Sequence, residues 1–244
     1  MTLRPSPTAA CFLLAFGLLA GCSSGQAPEV TAPAAPVNTQ QDIDNLAMYQ
    51  TLVARKQFEL AAPIGEGLLQ RSPDSPAAAE VRKDFDAVKA KADAINDKRR
   101  LEGLWLYQSG EQSGGQQNTA AIHPSQPAWA HSRVRLILRR HSDWGQSVYL
   151  YDTGNAGFIC KARCRLALKI DGAEAKPLVG YLPDGGDPAM FIDHDKAFID
   201  LLQKAKTLDI EVQLKGREAE PLHFETAGFD MNQWPTPPKA AKSG

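Results

Sequence analysis

Charge of one sign is missing from this chain: 27 Lys and Arg stand against 28 Asp and Glu over 244 residues. A balance so near neutral removes the electrostatic case for a nucleic-acid partner. Histidine is thin. The five, His123, His131, His141, His194 and His223, show neither the His-x₃-His nor the His-Glu-x-x-His spacing of a zinc helix, and they read as surface residues. No Gly-x-Ser-x-Gly elbow occurs. The Gly/Gln/Ser-rich stretch 110–118 is followed by no Lys-Ser/Thr pair and no helix pattern, so it reads as a loop and not a phosphate loop. Long apolar runs are missing too. Ala9 to Ala20 falls well short of the roughly 20 residues that a spanning helix needs.

That short apolar run follows a weakly basic start at Met1 and Arg4, the layout of a secretory signal peptide over 1–21. It ends in Leu19-Ala20-Gly21-Cys22, which resembles the lipobox of bacterial lipoproteins. The resemblance implies cleavage before Cys22 and acylation of its sulfur and new amine, as by palmitate. Two or three chains make such an anchor effectively permanent, since each buried methylene contributes about 0.8 kcal/mol. Ser23 in place of an aspartate favours, by the same resemblance, the outer membrane and its periplasmic face. An ordinary cleaved signal with a free Cys22 thiol is the alternative. Residues 22–41 are Ala/Pro/Ser/Thr/Gln-rich, with too little apolar surface to offset the entropy of ordering. They read as a semi-extended tether reaching about 3.1 Å per residue.

Helical periodicity begins near Asp42 and fills 42–102. Leu46, Tyr49, Leu52 and Val53 form one stripe, and Phe58, Ala61, Ala62, Leu68 and Leu69 a second, with Pro63 expected in that helix's first turn. After Ser72-Pro73-Asp74-Ser75-Pro76, one third helix carries Val81, Phe85, Val88, Ala92 and Ile95, capped by Asp74 or Ser75 with Pro76 at its first position. Lys56-Gln57-Phe58-Glu59-Leu60-Ala61 and Pro73 resemble a degenerate tetratricopeptide-type hairpin. The match covers about one repeat, where three are the norm. An unrelated three-helix cap is the alternative.

From Leu104 the period changes to two. The region 103–234 reads as an antiparallel, β-sandwich-like domain with one helix and one disulfide, which makes the chain α+β. A first strand is expected at Leu104–Tyr107, a hairpin at 133–152 around His141-Ser142-Asp143-Trp144-Gly145, and strands near 166–170, 178–182, 208–214 and 222–226. A helix from about Asp195 is expected to be capped by Asp193 or Asp195. The end, Trp234 to Gly244, reads as frayed, with 235–244 a tail. If Cys22 is acylated, Cys160 and Cys164 are an even pair in an oxidising compartment and read as a disulfide. Three intervening residues suit a tight hairpin between flanking strands, within the Cα separation of about 4.4–6.8 Å that the bond needs.

Phe158-x-Cys160-x₃-Cys164, the strand ending in Asp171, Phe224, Gly228-Phe229, Trp105-x-Tyr107 and Leu136-x-Leu138-Arg139 together look like a poorly characterised β-domain of envelope and secretion-associated lipoproteins, over residues 104–234. This resemblance implies fold and compartment and supplies no catalytic residues.

No cofactor or metal is implied. Asp184, Asp187, Asp193, His194 and Asp195 crowd one segment but lack EF-hand spacing, and read as turn and capping residues. Arg133, Arg135 and Arg139 line one strand face, and Lys161, Arg163, Arg165 and Lys169 another. Either is a candidate face for an anionic partner, or a solvated surface balanced by Asp209, Glu211 and Glu225. Three functions remain open: a non-catalytic binding or accessory module of the envelope, held to the bilayer through Cys22 and contacting another envelope protein; an envelope hydrolase or metal-dependent enzyme; or a helical scaffold that recruits a partner.

Overall fold

A computed structural model describes residues 37–238. The signal peptide, Cys22, nearly all of the tether and the last residues of the tail lie outside that range. Four helices come first: α1 (Gln40–Ala54), α2 (Phe58–Arg71), α3 (Pro76–Arg82) and α4 (Phe85–Glu102). No helix among the described residues is long and apolar enough to cross a membrane.

Local chemistry sets the helix ends. The Thr39 hydroxyl accepts the Asp42 amide at 3.1 Å while the Asp42 carboxylate accepts the Thr39 amide at 2.9 Å, a reciprocal cap that starts α1 at Gln40. Ser75 caps α3, with Pro76 at its first position, as the sequence suggests. Two expectations are corrected. Pro63 sits inside α2, five residues past its start, because the helix already opens at Phe58. The expected third helix is two helices, broken at Lys83-Asp84, where the Tyr49 hydroxyl donates to Asp84 at 2.7 Å and fixes Asp84 in a non-helical conformation ahead of α4. Tyr49, Leu68, Ala77, Ala78 and Val81 form a small core for this region.

The rest is one antiparallel sheet of nine strands with a helix on its inner side. The strands are β1 (Trp105–Gln112), β2 (Gly115–Ile122), β3 (Val134–His141), β4 (Gly145–Asp152), β5 (Arg163–Ile170), β6 (Ala173–Tyr181), β7 (Ala189–Ile192), β8 (Thr207–Gln213) and β9 (Ala219–Glu225), with α5 (Ala128–His131) before β3 and α6 (Asp195–Leu202) after β7. Their order is β1-β2-β3-β4-β7-β6-β5-β8-β9. Alternation sends Leu136, Leu138, Val148, Leu150, Leu168, Ile210, Leu222 and Phe224 inward, where strands from both halves share one core with Phe198 and Leu202 of α6. The sheet therefore curls over itself in a sandwich-like manner while staying continuous through the short β7.

Several local expectations change. The glycine-rich stretch 110–118 is no loop. It forms the ends of β1 and β2 around a tight turn at Ser113-Gly114, where both residues take positive φ. Strand β7 had no clear sequence signal. It is four residues long and pairs with both β4 and β6. His194, in a left-handed conformation, precedes α6 without any side-chain cap, so neither Asp193 nor Asp195 caps it. Trp234 is fully buried, not frayed. Its indole N–H donates to the Asn118 carbonyl at 3.0 Å, Asn118 Nδ2 donates to the Pro235 carbonyl at 2.8 Å, and the Arg140 guanidinium lies 3.9 Å from the ring centroid.

The disulfide joins Cys160 and Cys164, with Cα atoms 5.5 Å apart. The two are not partners in a hairpin. Phe158 bridges to Leu214 and the Ile159 amide donates to the Gln213 carbonyl, so this segment runs along the end of β8 while Cys164 lies in β5. The bond instead closes a short loop with Ala162 at positive φ.

Candidate interaction surface on the outer sheet face

The strands that bury Leu136, Leu150, Met190 and Leu166 inward direct their alternate residues outward. Cross-strand register aligns those outward residues into rows. Ile137 pairs with Tyr149, Tyr149 with Phe191, Phe191 with Tyr181, and Tyr181 with Arg163. The Tyr149 and Phe191 rings are 5.0 Å apart and the Phe191 and Tyr181 rings 5.6 Å, tilted by 31° and 24°. All four apolar members of this row are half-buried and belong to neither hydrophobic core. Burial pushes the Tyr149 phenol above its ordinary range.

Arginines frame the row. Arg139 lies between two rings, its guanidinium carbon 5.4 Å from the Tyr149 centroid and 5.1 Å from that of Trp144, and its Nε donates to Ser147 Oγ at 3.1 Å. Trp144, at the β3–β4 turn, is 50% exposed, high for an indole. It stays in place by stacking on His141 at 3.9 Å with ring planes 9° apart. His141 is itself buried, which corrects its reading as a surface residue. Its Nδ1 accepts the amides of Asp143 and Trp144, so Nε2 carries the proton it donates to the Gln112 carbonyl at 2.9 Å. At the other end Arg163 covers Tyr181 and pairs with Asp193. Arg165 stands opposite Val179 on the same face, and Arg135 opposite Tyr151. Both are exposed, and neither has a carboxylate partner among the described residues.

The expected Arg133, Arg135 and Arg139 face thus survives in part. Arg133 is held at the end of β3 by the fully buried Asp152, through Nε at 2.7 Å and Nη2 at 3.2 Å. Asp152 also accepts the amides of Gly154, Ala156 and Gly157. Burial alone would raise its carboxyl. The Arg133 guanidinium and the Gly157 and Gly154 amides outweigh that and hold it below the usual carboxylate range. This pair anchors the loop after β4 and offers no free cation.

Elsewhere, polar side chains are engaged in separate pairs. Asp193 pairs with Arg163 and Asp195 accepts from Gln146 at 2.8 Å. His223 Nδ1 donates to Asp209 at 2.6 Å. Glu225 takes two hydrogen bonds from Arg100, at 2.8 and 3.1 Å, tying the end of α4 to β9. Hydrogen bonding from Arg100 holds the Glu225 carboxyl below its ordinary range. A groove of about 260 Å³ between α6 and β6 has an apolar floor of Leu168, Leu178 and Phe198. No group of three or more His, Cys, Asp or Glu among the described residues is placed to hold a metal ion.

The sequence separated the cations of β3 from those of β5 because nothing in it shows that β4, β7 and β6 lie between them. The alternation at Tyr149 and Tyr151 was legible. The row was not, since Phe191 belongs to a strand too short to read.

The chain matches no known family, and no curated protein matches it. Among solved structures it is similar to invasion associated protein B from Bartonella henselae, with 16% identity over 49% of this chain and 79% of that one and a TM-score of 0.33. A score that low identifies neither a shared fold nor a shared function.

Proposed function

We propose that this chain is a lipoprotein, anchored through acylated Cys22 to the outer membrane on its periplasmic side, that acts as a non-catalytic binding module for another envelope protein. It docks through the outer face of β3, β4, β7, β6 and β5. The observation that carries the docking surface is the aromatic row from Tyr149 to Tyr181, framed by Arg139, Arg135 and Arg165. Aromatic residues and arginine are the types enriched at the centres of protein interfaces, and Trp, Tyr and Arg dominate their energetics. Support for the compartment comes from the lipobox-like Leu19-Ala20-Gly21-Cys22 and from the Cys160–Cys164 disulfide, a bond that persists in oxidising surroundings.

Two measurements test this reading. Radiolabelled palmitate should enter the wild-type chain and not Cys22→Ser, and Cys22→Ser should leave the membrane fraction. Normal processing of Cys22→Ser with retention in that fraction would refute the anchor. A photo-crosslinking amino acid at position 144 should join the chain to a protein in intact cells, whereas the same group at Leu60, exposed on α2, should not. Crosslinks from position 60 alone would move the docking surface to the helices.

A further inference from the structure

We propose that the segment bound on the outer face is an extended, acidic stretch of the partner, with carboxylates spaced about six residues apart and apolar side chains between them. The inference rests on the docking reading above and adds the chemistry of the occupant.

Charge and register both point to it. Following the pairing one step from the aromatic row, Arg139 faces Ser147 on β4, and Arg165 faces Val179 on β6. These two arginines bracket one line across the sheet, parallel to the row of rings, that passes Ser147, Asp193 and Val179; the Asp193 amide donates to the Val179 carbonyl and its carboxylate is paired with Arg163. Four strand spacings separate β3 from β5 along β4, β7 and β6. At about 4.8 Å each, the line is roughly 19 Å long. An extended chain rising about 3.3 Å per residue covers it with about six residues. Carboxylates at its ends meet Arg139 and Arg165, and the side chains between them lie against Tyr149, Phe191 and Tyr181.

The acids on the sheet's own outer face are largely taken. Asp193 is held by Arg163, Asp209 by His223 and Glu225 by Arg100. On the outer side of β8 and β9 this leaves Glu211 unpaired among the described residues, so that part of the sheet in a second copy brings little charge to the cationic half. Arg139 is also pre-positioned. The rings on either side of it and Ser147 hold the guanidinium in place before any ligand arrives, which lowers the ordering cost of binding.

The test uses the full chain in detergent micelles and a fluorescently labelled octapeptide with two Glu at each end and Val, Phe, Val, Tyr between. Its controls carry Gln or Lys at the four end positions. The Glu peptide should bind, weaken as salt rises, and lose about tenfold in affinity with Arg139→Glu or Arg165→Glu. The Lys peptide should not bind. If a charge reversal alters the thermal unfolding midpoint, Arg139→Gln or Arg165→Gln takes its place, with a smaller loss expected. Equal binding of the Gln or Lys peptide, or affinity unmoved by these substitutions, overturns the acidic occupant. So does preferential binding to phosphatidylglycerol vesicles over the peptide. Crosslinks from position 144 in cells alongside a failed peptide assay refute this inference alone; their absence refutes the docking surface itself.

Discussion

The two faces of the sheet carry apolar residues for different ends. Inside, Leu136, Leu138, Leu150, Leu168, Ile210 and Phe224 are at most 1% exposed and meet side chains from both halves of the curled sheet. Outside, Ile137, Tyr149, Phe191 and Tyr181 are half-buried by one another and by arginines. The inner residues have every neighbour that folding provides. Among the described residues, no element forms a layer above the outer ones. Truncation inside should therefore be read in stability, and truncation outside chiefly in binding.

That contrast orders the expected effects. Trp234→Ala removes the largest fully buried side chain and two polar links to β2 and β3. It should lower unfolding free energy by about 3–5 kcal/mol in urea titration. Asp152→Ala leaves three amides and Arg133 without their acceptor, at a cost of about 2–3 kcal/mol, since Arg133 is partly exposed. The same carboxylate gives a pH signature. Its folded-state pKa is depressed, so its contribution is complete above the unfolded value near 3.8 and lost as pH falls below it. Asp152→Asn should therefore flatten the acid limb of the stability profile while other depressed carboxylates preserve part of it.

On the outer face, Phe191→Ala should cost about 1–2 kcal/mol, because only part of its surface is removed from water. A loss as large as that of Trp234→Ala would mean the row is a second core and not a docking layer. Smallest of all, Arg139→Ala should move stability by under about 1 kcal/mol, as expected for a half-exposed cation–π contact, while weakening peptide binding by less than the charge reversal does.

Much of the inner face was legible beforehand. Val134, Leu136 and Leu138 are flanked by Arg133, Arg135 and Arg139 on the opposite face, and Leu208, Ile210 and Val212 alternate with polar residues, because a sheet with one buried face prints its period on the chain. The helix start at Pro76 was legible for an equally local reason, a serine cap followed by proline. Features that depend on distant contacts were not. The α3–α4 break follows from Tyr49 reaching Asp84, thirty-five residues away in sequence. Trp234 looked like part of a Pro/Lys-rich end, yet a carbonyl on β2 holds it in the core. The outer row needed the strand order itself. The cysteine spacing did not reveal that Phe158 runs along β8.

Burial of Trp234 also sets a temporal order on biogenesis. The indole fills a space whose walls include Asn118 on β2 and Arg140 on β3, both delivered some ninety or more residues earlier. In a chain emerging from its N-terminal end, that space stays unfilled until Trp234 arrives. The β-domain thus gains this contact only once Trp234 has been made, well after the strands that receive it.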